Sequence, residues 1–334
     1  MSDPQSHPVG TLFDLIEGPI RFHLVDWAFR VGIFDACASA TRPETVAEAK
    51  GLDPPRIGIA LRALTALGLL QQSDGAFQVT PVAAAYLLAG SDRCLAATFA
   101  SLAETRHRAL DRLDAVFAAA VDRLDHPLDE RHWHRAQTAL QAFHAAIAVD
   151  HKLPCLMALA EWPGATRFLD VGAGSAVLAE QIAVAKPEAC VTVFDLPRTI
   201  RQIEAQGTGA KAPQLAPGDY TDPATLPEGP FDVIWASMSL YFHGSSLAAV
   251  LSNLAKRLAP GGVFLSFHED LQGGRTAPQE HVVGRLMPAL LGQDVSFADG
   301  EMAAAMAAAG LTGLTSEYRQ TPFGCYRLDA GRAR

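Results

Sequence analysis

Two glycines stand directly after a short apolar run near the middle of the chain, where a strand would turn into a helix. The run is Phe168 to Val171, and Gly172 and Gly174 follow it. In an open parallel sheet, a ligand binds outside the carboxyl ends of the strands. Glycine there lets the ligand approach the backbone closely and adopts positive φ without steric cost. The pattern predicts a binding turn for a nucleotide-like cofactor.

The residues around this turn separate two classes of cofactor. The dinucleotide pattern Gly-x-Gly-x-x-Gly would place glycine at position 177, where the chain has Val177. S-adenosylmethionine (SAM) has no pyrophosphate, and its site needs room for the amino-acid part, a carboxylate for the ribose hydroxyls and a slot for adenine. Asp195 ends the next predicted strand about twenty residues after the glycines, where its carboxylate can accept hydrogen bonds from both ribose hydroxyls. The alternative role for Asp195 is a helix cap ahead of Leu196.

Asp219 and Tyr220 complete the predicted cofactor site. They follow what should be the third strand, and a carboxylate beside an aromatic ring would flank adenine. We therefore predict that the chain binds SAM and releases S-adenosylhomocysteine (SAH). The predicted binding residues are Asp170, Gly172, Gly174, Asp195, Leu196, Gly218, Asp219, Tyr220 and Ser237.

The elements that must position this site change in kind along the 334 residues. Apolar residues at helical spacing between Thr11 and Phe34, interrupted at Gly18-Pro19, predict two helical pieces. Further helices and a hairpin signal at Asp74-Gly75 indicate a winged helix in residues 1–95. Residues 96–160 are predicted to be helical and to break near His126. Residues 161–334 alternate strands with helices, which predicts an α/β, Rossmann-like, doubly wound parallel sheet.

Composition and charge exclude several other functions. The formal net charge is −9, so a broad phosphate-binding surface, and with it nucleic acid, is not expected. The five cysteines form no CxxC pair, and His132 and His134 have the wrong spacing for one helix face, so we expect no metal. Neither a basic leader nor about twenty uninterrupted apolar residues occur, and we expect a cytoplasmic enzyme without membrane contact.

Several segments together resemble the SAM-dependent O-methyltransferase family of plant and bacterial secondary metabolism, whose members carry an N-terminal winged-helix dimerisation domain. The resemblance runs from about Leu12 to Cys325 and implies a homodimer formed through the N-terminal domain. It assigns the glycines to the methionine end of SAM, and it implies that residues 96–160 form a helical linker and the helices that line the cavity of a small-molecule substrate. It also implies substrate contacts from Phe143, His144 and Met287. The segments that carry it are Ala63 to Leu70, Phe168 to Ala176, Phe194 to Pro197, Gly218-Asp219 and Leu258 to Gly262.

The chain departs from this family at the residue that removes a proton from the substrate. The family's Leu-His-x-Trp, whose histidine is the general base, reads Leu240-Tyr-Phe-His243 here. Imidazole titrates near neutral pH, so His243 is the first candidate for the base, and Tyr241 is the substitute if the alignment has no gap. His268 and Glu269 follow the fifth strand, at or beside the position where the family often carries a glutamate that holds the histidine.

These residues predict in-line methyl transfer to a hydroxyl of a small, fairly apolar metabolite, with His243 or Tyr241 assisting deprotonation. Methylation of nitrogen, carbon or sulfur is the nearest alternative. Because the usual histidine is displaced, a second alternative is a SAM-binding enzyme that uses the sulfonium as a fixed charge for decarboxylation, hydroxylation or rearrangement. A non-catalytic regulator that binds DNA through the winged helix is the third, and the acidic net charge argues against it.

Overall fold

The computed structural model of the protein describes residues 8–118, 130–207, 212–244, 246–292 and 296–334, without the side chains of residues 8, 9, 130–134, 148 and 149. The chain divides into two compact units, Met1–Ala100 and Ser101–Arg334. The predicted boundaries after residues 95 and 160 stay predictions, and the predicted break near His126 lies outside the described residues. In the parts of the chain just given, no helix has the length and apolar character needed to cross a bilayer.

Short helices and one hairpin build the first unit. The hairpin turns at Asp74 and Gly75, whose φ values of 50° and 76° match the two-residue turn that Asp-Gly favours. Its buried core includes Phe34, Leu61 and Phe77. The elements are α1 (Pro8–Val31), α2 (Ile33–Ala36), α3 (Pro43–Lys50), α4 (Pro54–Ala66), β1 (Leu70–Ser73), β2 (Ala76–Val79) and α5 (Pro81–Leu87).

The first helix differs from its prediction. Two pieces broken at Gly18-Pro19 were expected, but α1 runs unbroken through Pro19. Proline removes only one helical hydrogen bond, and its neighbours Leu15 and Ile20 are largely exposed, so water can solvate the freed carbonyl. The helix ends instead before Gly32, whose φ of 74° lies in the left-handed region.

Helices lead into a seven-stranded sheet in the second unit, with strand order β10-β11-β7-β6-β3-β4-β5. The five strands from β3 to β7 pair in parallel, as predicted. Their residues alternate between two cores: Phe168 packs with α10 and Leu169 with α12. The elements up to β7 are α6 (Ala96–Arg106), α7 (Leu113–Phe117), α8 (Glu130–His151), α9 (Leu153–Met157), β3 (Arg167–Val171), α10 (Val177–Ala185), β4 (Cys190–Asp195), α11 (Pro197–Gln206), β5 (Gln214–Pro217), β6 (Phe231–Ser237), α12 (Leu247–Ala255) and β7 (Leu258–His268).

The sheet also contains two antiparallel strands that the sequence did not indicate. A terminal hairpin adds two strands, and its second strand pairs antiparallel with β7. The first of them is an edge strand that is exposed over most of its length and polar, so it lacks the apolar alternation by which strands are predicted. The remaining elements are β8 (Asp270–Leu271), α13 (Gln279–Gly284), α14 (Leu286–Leu290), β9 (Phe297–Ala298), α15 (Glu301–Ala308), β10 (Thr312–Thr321) and β11 (Gly324–Arg332).

Candidate active site

The glycine turn after β3 is closely packed on both sides. Gly172 and Gly174 have φ values of 63° and 68°, in the left-handed region that glycine adopts freely. A Cβ at Gly172 would lie 2.7 Å from the Cβ of Ser239, and one at Gly174 would lie 2.5 Å from Cδ2 of Leu140. Backbone conformation and lack of space therefore both require glycine here. The Ser239 hydroxyl donates to the carbonyl of Val171 at 2.8 Å, which holds the loop after β6 against this turn.

Asp195, at the carboxyl end of β4, is bonded to the glycine turn. Its Oδ2 accepts the amide of Gly174 at 2.8 Å, and its Oδ1 accepts the amide of Leu196 at 2.7 Å. Burial raises the pKa of this carboxyl, while the two amides and the Thr199 hydroxyl oppose the rise. The same residue thus holds the start of α11 and the turn, and its remaining lone pairs can still accept hydroxyl donors.

The predicted adenine residues follow β5. The Gly218 amide donates to the carbonyl of Asp195 at 2.9 Å, so the ends of β4 and β5 lie together. A Cβ at Gly218 would lie 2.5 Å from the ring of Phe194. Oδ1 of Asp219 accepts hydrogen bonds from the amide and the hydroxyl of Thr221. The Tyr220 hydroxyl hydrogen-bonds the backbone after β6, and burial raises its pKa to about 12.

Helix α8 covers the turn from the other side. The Gln137 amide donates to the carbonyl of Gly174 at 3.1 Å. Nδ1 of His144 lies 2.7 Å from the Ser175 hydroxyl, and burial holds the pKa of this imidazole well below its usual range, so the ring is neutral. Phe143 packs edge to face on Phe323 with ring centroids 5.0 Å apart. His144 therefore contacts the cofactor turn rather than only a substrate cavity.

The candidate bases surround one buried ring, Phe297. Tyr241 stacks on it at 4.8 Å between centroids, His243 lies nearly parallel to it at 6.4 Å, and His268 meets it edge-on at 5.3 Å. The Tyr241 hydroxyl accepts the Glu269 amide at 3.3 Å, and burial raises its pKa far above neutral. Nδ1 of His243 is buried and has no hydrogen-bond partner among the described residues.

His268 and Glu269 are occupied by other partners. Nδ1 of His268 lies 2.9 Å from the Ser266 hydroxyl and Nε2 lies 3.6 Å from the Asp329 carboxylate, while burial lowers the pKa to about 4. The Glu269 carboxylate is bound by Arg285 and Tyr326, with His281 Nδ1 at 3.7 Å. Glu269 therefore stabilises a buried ion-pair network.

Met287 lies elsewhere in the second unit. It is buried on α14 and lines a groove of about 550 Å³ together with Arg106, Leu110 and Val283. Neither Phe143 nor His144 lines this groove. In the described residues, no three His, Cys, Asp or Glu side chains stand close enough to bind a metal, and the side chains of His132 and His134 lie outside that description.

Comparisons with known proteins agree with this geometry. A family described as a methyltransferase domain matches residues 168–262, from the glycine turn to β7. The 3-hydroxy-5-methyl-1-naphthoate 3-O-methyltransferase of Streptomyces sahachiroi is 29% identical over 265 residues, 76% of this chain and 75% of that protein. The demethylspheroidene O-methyltransferase of Rhodobacter capsulatus is 26% identical over 273 residues, 79% of this chain and 66% of that protein.

The chain is a SAM-dependent methyltransferase and is similar to O-methyltransferases. Its fold is that of human N-acetylserotonin methyltransferase, solved in complex with SAM, at a TM-score of 0.76 and 18% identity, over 100% of this chain and 99% of the other.

The residues of this methyltransferase fit SAM. Gly172 and Gly174 are partly exposed and carry no side chain, and Asp195 lies next to them with acceptor capacity left. The buried Ser237 hydroxyl, at the carboxyl end of β6, has no hydrogen-bond partner within the described residues. An unpaired buried hydroxyl is costly, and a polar cofactor group would satisfy it.

Sequence reasoning missed four residues of this methyltransferase that contact the site. Gln137 and Leu140 on α8 and Ser239 after β6 close over the glycines, and Phe297 joins the candidate bases. None belongs to a motif, because each is brought to the turn by tertiary packing. Only the helical spacing of Gln137, Leu140 and His144, three and four residues apart, signals that they share one face of α8.

Proposed function

We propose that this methyltransferase transfers the methyl group of SAM to a hydroxyl oxygen of a small, fairly apolar metabolite. The observation that carries the proposal is the pairing of Asp195 with the Gly174 amide, which joins the predicted ribose carboxylate to the glycine turn. Two relatives whose names specify O-methylation support the choice of oxygen as the acceptor. One of those names specifies a hydroxylated naphthoate, so we propose an aromatic acceptor as the first class to test.

The chain's own residues bind and orient the reactants. When bound, SAM supplies an electrophilic methyl group whose leaving group is a neutral thioether. The turn and Asp195 fix the cofactor, so that an acceptor held by α8 attacks in line. We assign substrate contacts to Phe143 and His144, whereas a contact from Met287, which lines a separate groove, stays a prediction. Because the Gln137 and His144 hydrogen bonds hold α8 over the turn, binding of cofactor and acceptor should be coupled.

We assign proton removal to His243 rather than Tyr241. The raised pKa of Tyr241 keeps its hydroxyl protonated at neutral pH, and that hydroxyl already accepts the Glu269 amide. Both ring nitrogens of His268 face partners. The unpartnered Nδ1 of His243, held beside Phe297, leaves it the best placed of the three to accept a proton.

One observation favours a second candidate function. Glu269 lies at or beside the position where the family often carries the glutamate that holds its histidine, and here Arg285 and Tyr326 bind it instead. A base without its orienting carboxylate is less effective. The second candidate is therefore an enzyme that uses the bound sulfonium as a fixed charge for decarboxylation, hydroxylation or rearrangement without transferring methyl.

A single assay separates the two functions. The pure protein is incubated with methyl-labelled SAM and a panel of hydroxylated aromatic carboxylic acids, and product mass, label and SAH are followed. Methyl transfer predicts a product heavier by one labelled methyl and one SAH per product. Product formed without SAH, or no labelled product from any acceptor although SAM binds, would overturn the proposed transfer.

We also propose that the enzyme is a cytoplasmic homodimer of secondary metabolism, formed through its N-terminal winged helix. The support for a dimer is the apolar surface of α1. Five of its large apolar side chains are more than 60% exposed in the single chain, which is unusual for a monomer surface. They are Leu12, Phe13, Leu15, Ile16 and Ile20.

A further inference from the structure

The tip of the terminal hairpin lies at the same edge of the sheet as the glycine turn. Strand β11 runs antiparallel to β7, and Arg327 near its start pairs with His268 at the carboxyl end of β7. The tip that precedes β11 therefore extends beyond the carboxyl ends of the parallel strands, where ligands of such sheets bind. Phe323 occupies this tip and is only partly buried. The hairpin thus brings a large aromatic side chain to the edge that holds Gly172.

Hydrogen bonds fix the backbone of this tip. The Thr321 hydroxyl donates to the carbonyl of Gly324 at 2.8 Å and accepts the Phe323 amide at 3.3 Å. The Cys325 amide donates to the carboxylate of Glu280 on α13 at 3.0 Å. Loop tips commonly lack such bonds and are poorly ordered. Here the backbone presents the aromatic ring in a defined position.

Aromatic contacts connect Phe323 to the glycine turn. Its ring meets Phe143 of α8 edge to face, with centroids 5.0 Å apart. The next residue on α8 is His144, whose Nδ1 lies 2.7 Å from the Ser175 hydroxyl in the turn. His151, about two turns further along α8, meets the Phe323 ring edge to face at 5.9 Å. Phe143 and Phe323 are both only partly buried, which leaves surface on each for a further ring.

Such a pair of rings distinguishes an aromatic ligand from a saturated one. The face of an aromatic ring carries negative charge density and its edge positive, so aromatic rings attract one another in offset-stacked or edge-to-face arrangements. A saturated ring of similar shape buries comparable apolar area but lacks this charge pattern. Aromatic pairing therefore adds a preference that burial of apolar surface alone does not provide.

We propose that Phe323 is a specificity residue that, together with Phe143, packs against the ring of an aromatic acceptor. The inference rests on the proposed methyl transfer and refines it, because it assigns recognition of the acceptor ring to the terminal hairpin and α8. Proton removal stays with the residues that follow β6. The enzyme should accordingly prefer a hydroxyl carried on an aromatic ring to one carried on a saturated ring.

The competing explanation is that Phe323 only packs the hairpin tip onto α8. A purely structural ring would act through the position of α8, whose Gln137 and His144 bond the glycine turn. Its loss would then weaken the binding of SAH and of every acceptor alike. A specificity residue would affect only ligands that carry an aromatic ring, so the two explanations differ in ligand dependence.

Isothermal titration calorimetry with saturating SAH tests the proposal, using 2-naphthol and its saturated analogue decahydro-2-naphthol as probes. We expect Phe323→Leu to weaken 2-naphthol binding about 3- to 10-fold, the usual contribution of an aromatic pair, and to change decahydro-2-naphthol binding less than about twofold. Phe323→Tyr keeps the ring and should retain most of the 2-naphthol affinity. Leu314→Ala, in the first strand of the same hairpin and away from its tip, is the control and should alter neither affinity. An unchanged SAH affinity in each variant shows that it folds.

Several results would overturn the proposal. Equal losses for both alcohols, or an unchanged 2-naphthol affinity in Phe323→Leu, would remove aromatic recognition from this residue, and a parallel loss of SAH affinity would make the ring structural. If Phe323→Leu does not fold, wild-type protein still decides, because binding of neither alcohol, or equal binding of both, contradicts an aromatic subsite. A wild type that prefers 2-naphthol but methylates no acceptor would instead refute the proposed transfer and support the subsite.

Discussion

At the scale of single residues, the site combines a tightly fixed glycine turn with a proposed base, His243, whose Nδ1 has no partner among the described residues. Asp195, Gly172 and Gly174 are held by hydrogen bonds and close packing, whereas Nδ1 of His243 is unpartnered among the described residues. We infer that this chain binds its cofactor through a rigid turn and relies on the substrate to align the base.

Separate substitutions of the two candidate bases, His243 and Tyr241, should distinguish their roles. We expect His243→Ala to lower kcat about 100-fold or more, as loss of a general base does, with SAH affinity unchanged. Tyr241→Phe removes only the acceptor of the Glu269 amide and should lower kcat less than about tenfold by the same reasoning. Initial rates and SAH titrations of both variants check this. A larger effect of Tyr241→Phe would move the base to Tyr241.

The space at Gly174 gives a prediction with a matched control. Gly310 also adopts a left-handed backbone conformation, with φ of 88°, but no atom lies within 4 Å of an added Cβ. Alanine at either position should cost about 1 kcal/mol of unfolding free energy for the positive φ. Only Gly174→Ala should also weaken SAH binding, because the added Cβ would contact Leu140 of α8, the helix that covers the glycine turn.

Urea unfolding and SAH titration of the two variants check this expectation. Adding Leu140→Ala to Gly174→Ala removes the contact at 2.5 Å and should recover part of the SAH affinity. Equal SAH affinities of the Gly174 and Gly310 variants would contradict a closely packed turn.

The buried imidazole of His268 predicts a loss of stability at low pH. Its folded pKa of about 4 lies below the unfolded value of 6.5, so between these values the unfolded chain binds more protons and stability falls as pH falls. The buried His268 should lower the free energy of unfolding by on the order of 1–2 kcal/mol between pH 7 and pH 5. Urea unfolding of wild type and His268→Gln at both pH values should show a smaller decrease in the variant. An equal decrease would contradict a neutral buried His268.

At the scale of elements, the sequence predicted what local pattern determines. The Asp74-Gly75 hairpin and the strands that lead to Gly172, Asp195, Gly218 and Ser237 are where their apolar runs and turn residues indicated. The sequence pattern did not predict two features that depend on tertiary context. Helix α1 continues through Pro19, and the polar edge strand β10 has no apolar alternation. For the same reason Ser239 and Phe297 could not be predicted, since only tertiary packing brings them to the site.

Helix α1 carries the prediction on assembly. If its exposed apolar side chains form the dimer contact, Ile16→Glu places a charge in that interface and should convert the dimer to a monomer. Val184→Glu is the control, because Val184 is 68% exposed on α10 and belongs to no such row. Light scattering after size-exclusion chromatography measures both masses. A monomeric wild type, or a dimer that persists in Ile16→Glu, would contradict the assignment.

At the scale of the whole molecule, the predicted cofactor residues come from the carboxyl ends of four neighbouring parallel strands. The order β6-β3-β4-β5 places Ser237, Gly172, Asp195 and Gly218 along one edge of the sheet. The bases follow β6 and β7, and α8 closes over the centre of that edge. The predicted cofactor residues therefore lie along one edge of the sheet, whereas the proposed acceptor contacts Phe143 and His144 belong to a helix outside it.

The most direct test of this account is calorimetric titration of SAH into wild type, Asp195→Asn and Asp232→Asn. Both aspartates accept two backbone amides, but those bonded to Asp232 belong to Thr166 and Arg167 at the opposite ends of the strands. The account predicts one SAH per chain, an affinity about 10- to 100-fold weaker in Asp195→Asn, and no change in Asp232→Asn. No binding to wild type, or equal affinities in all three proteins, would contradict it.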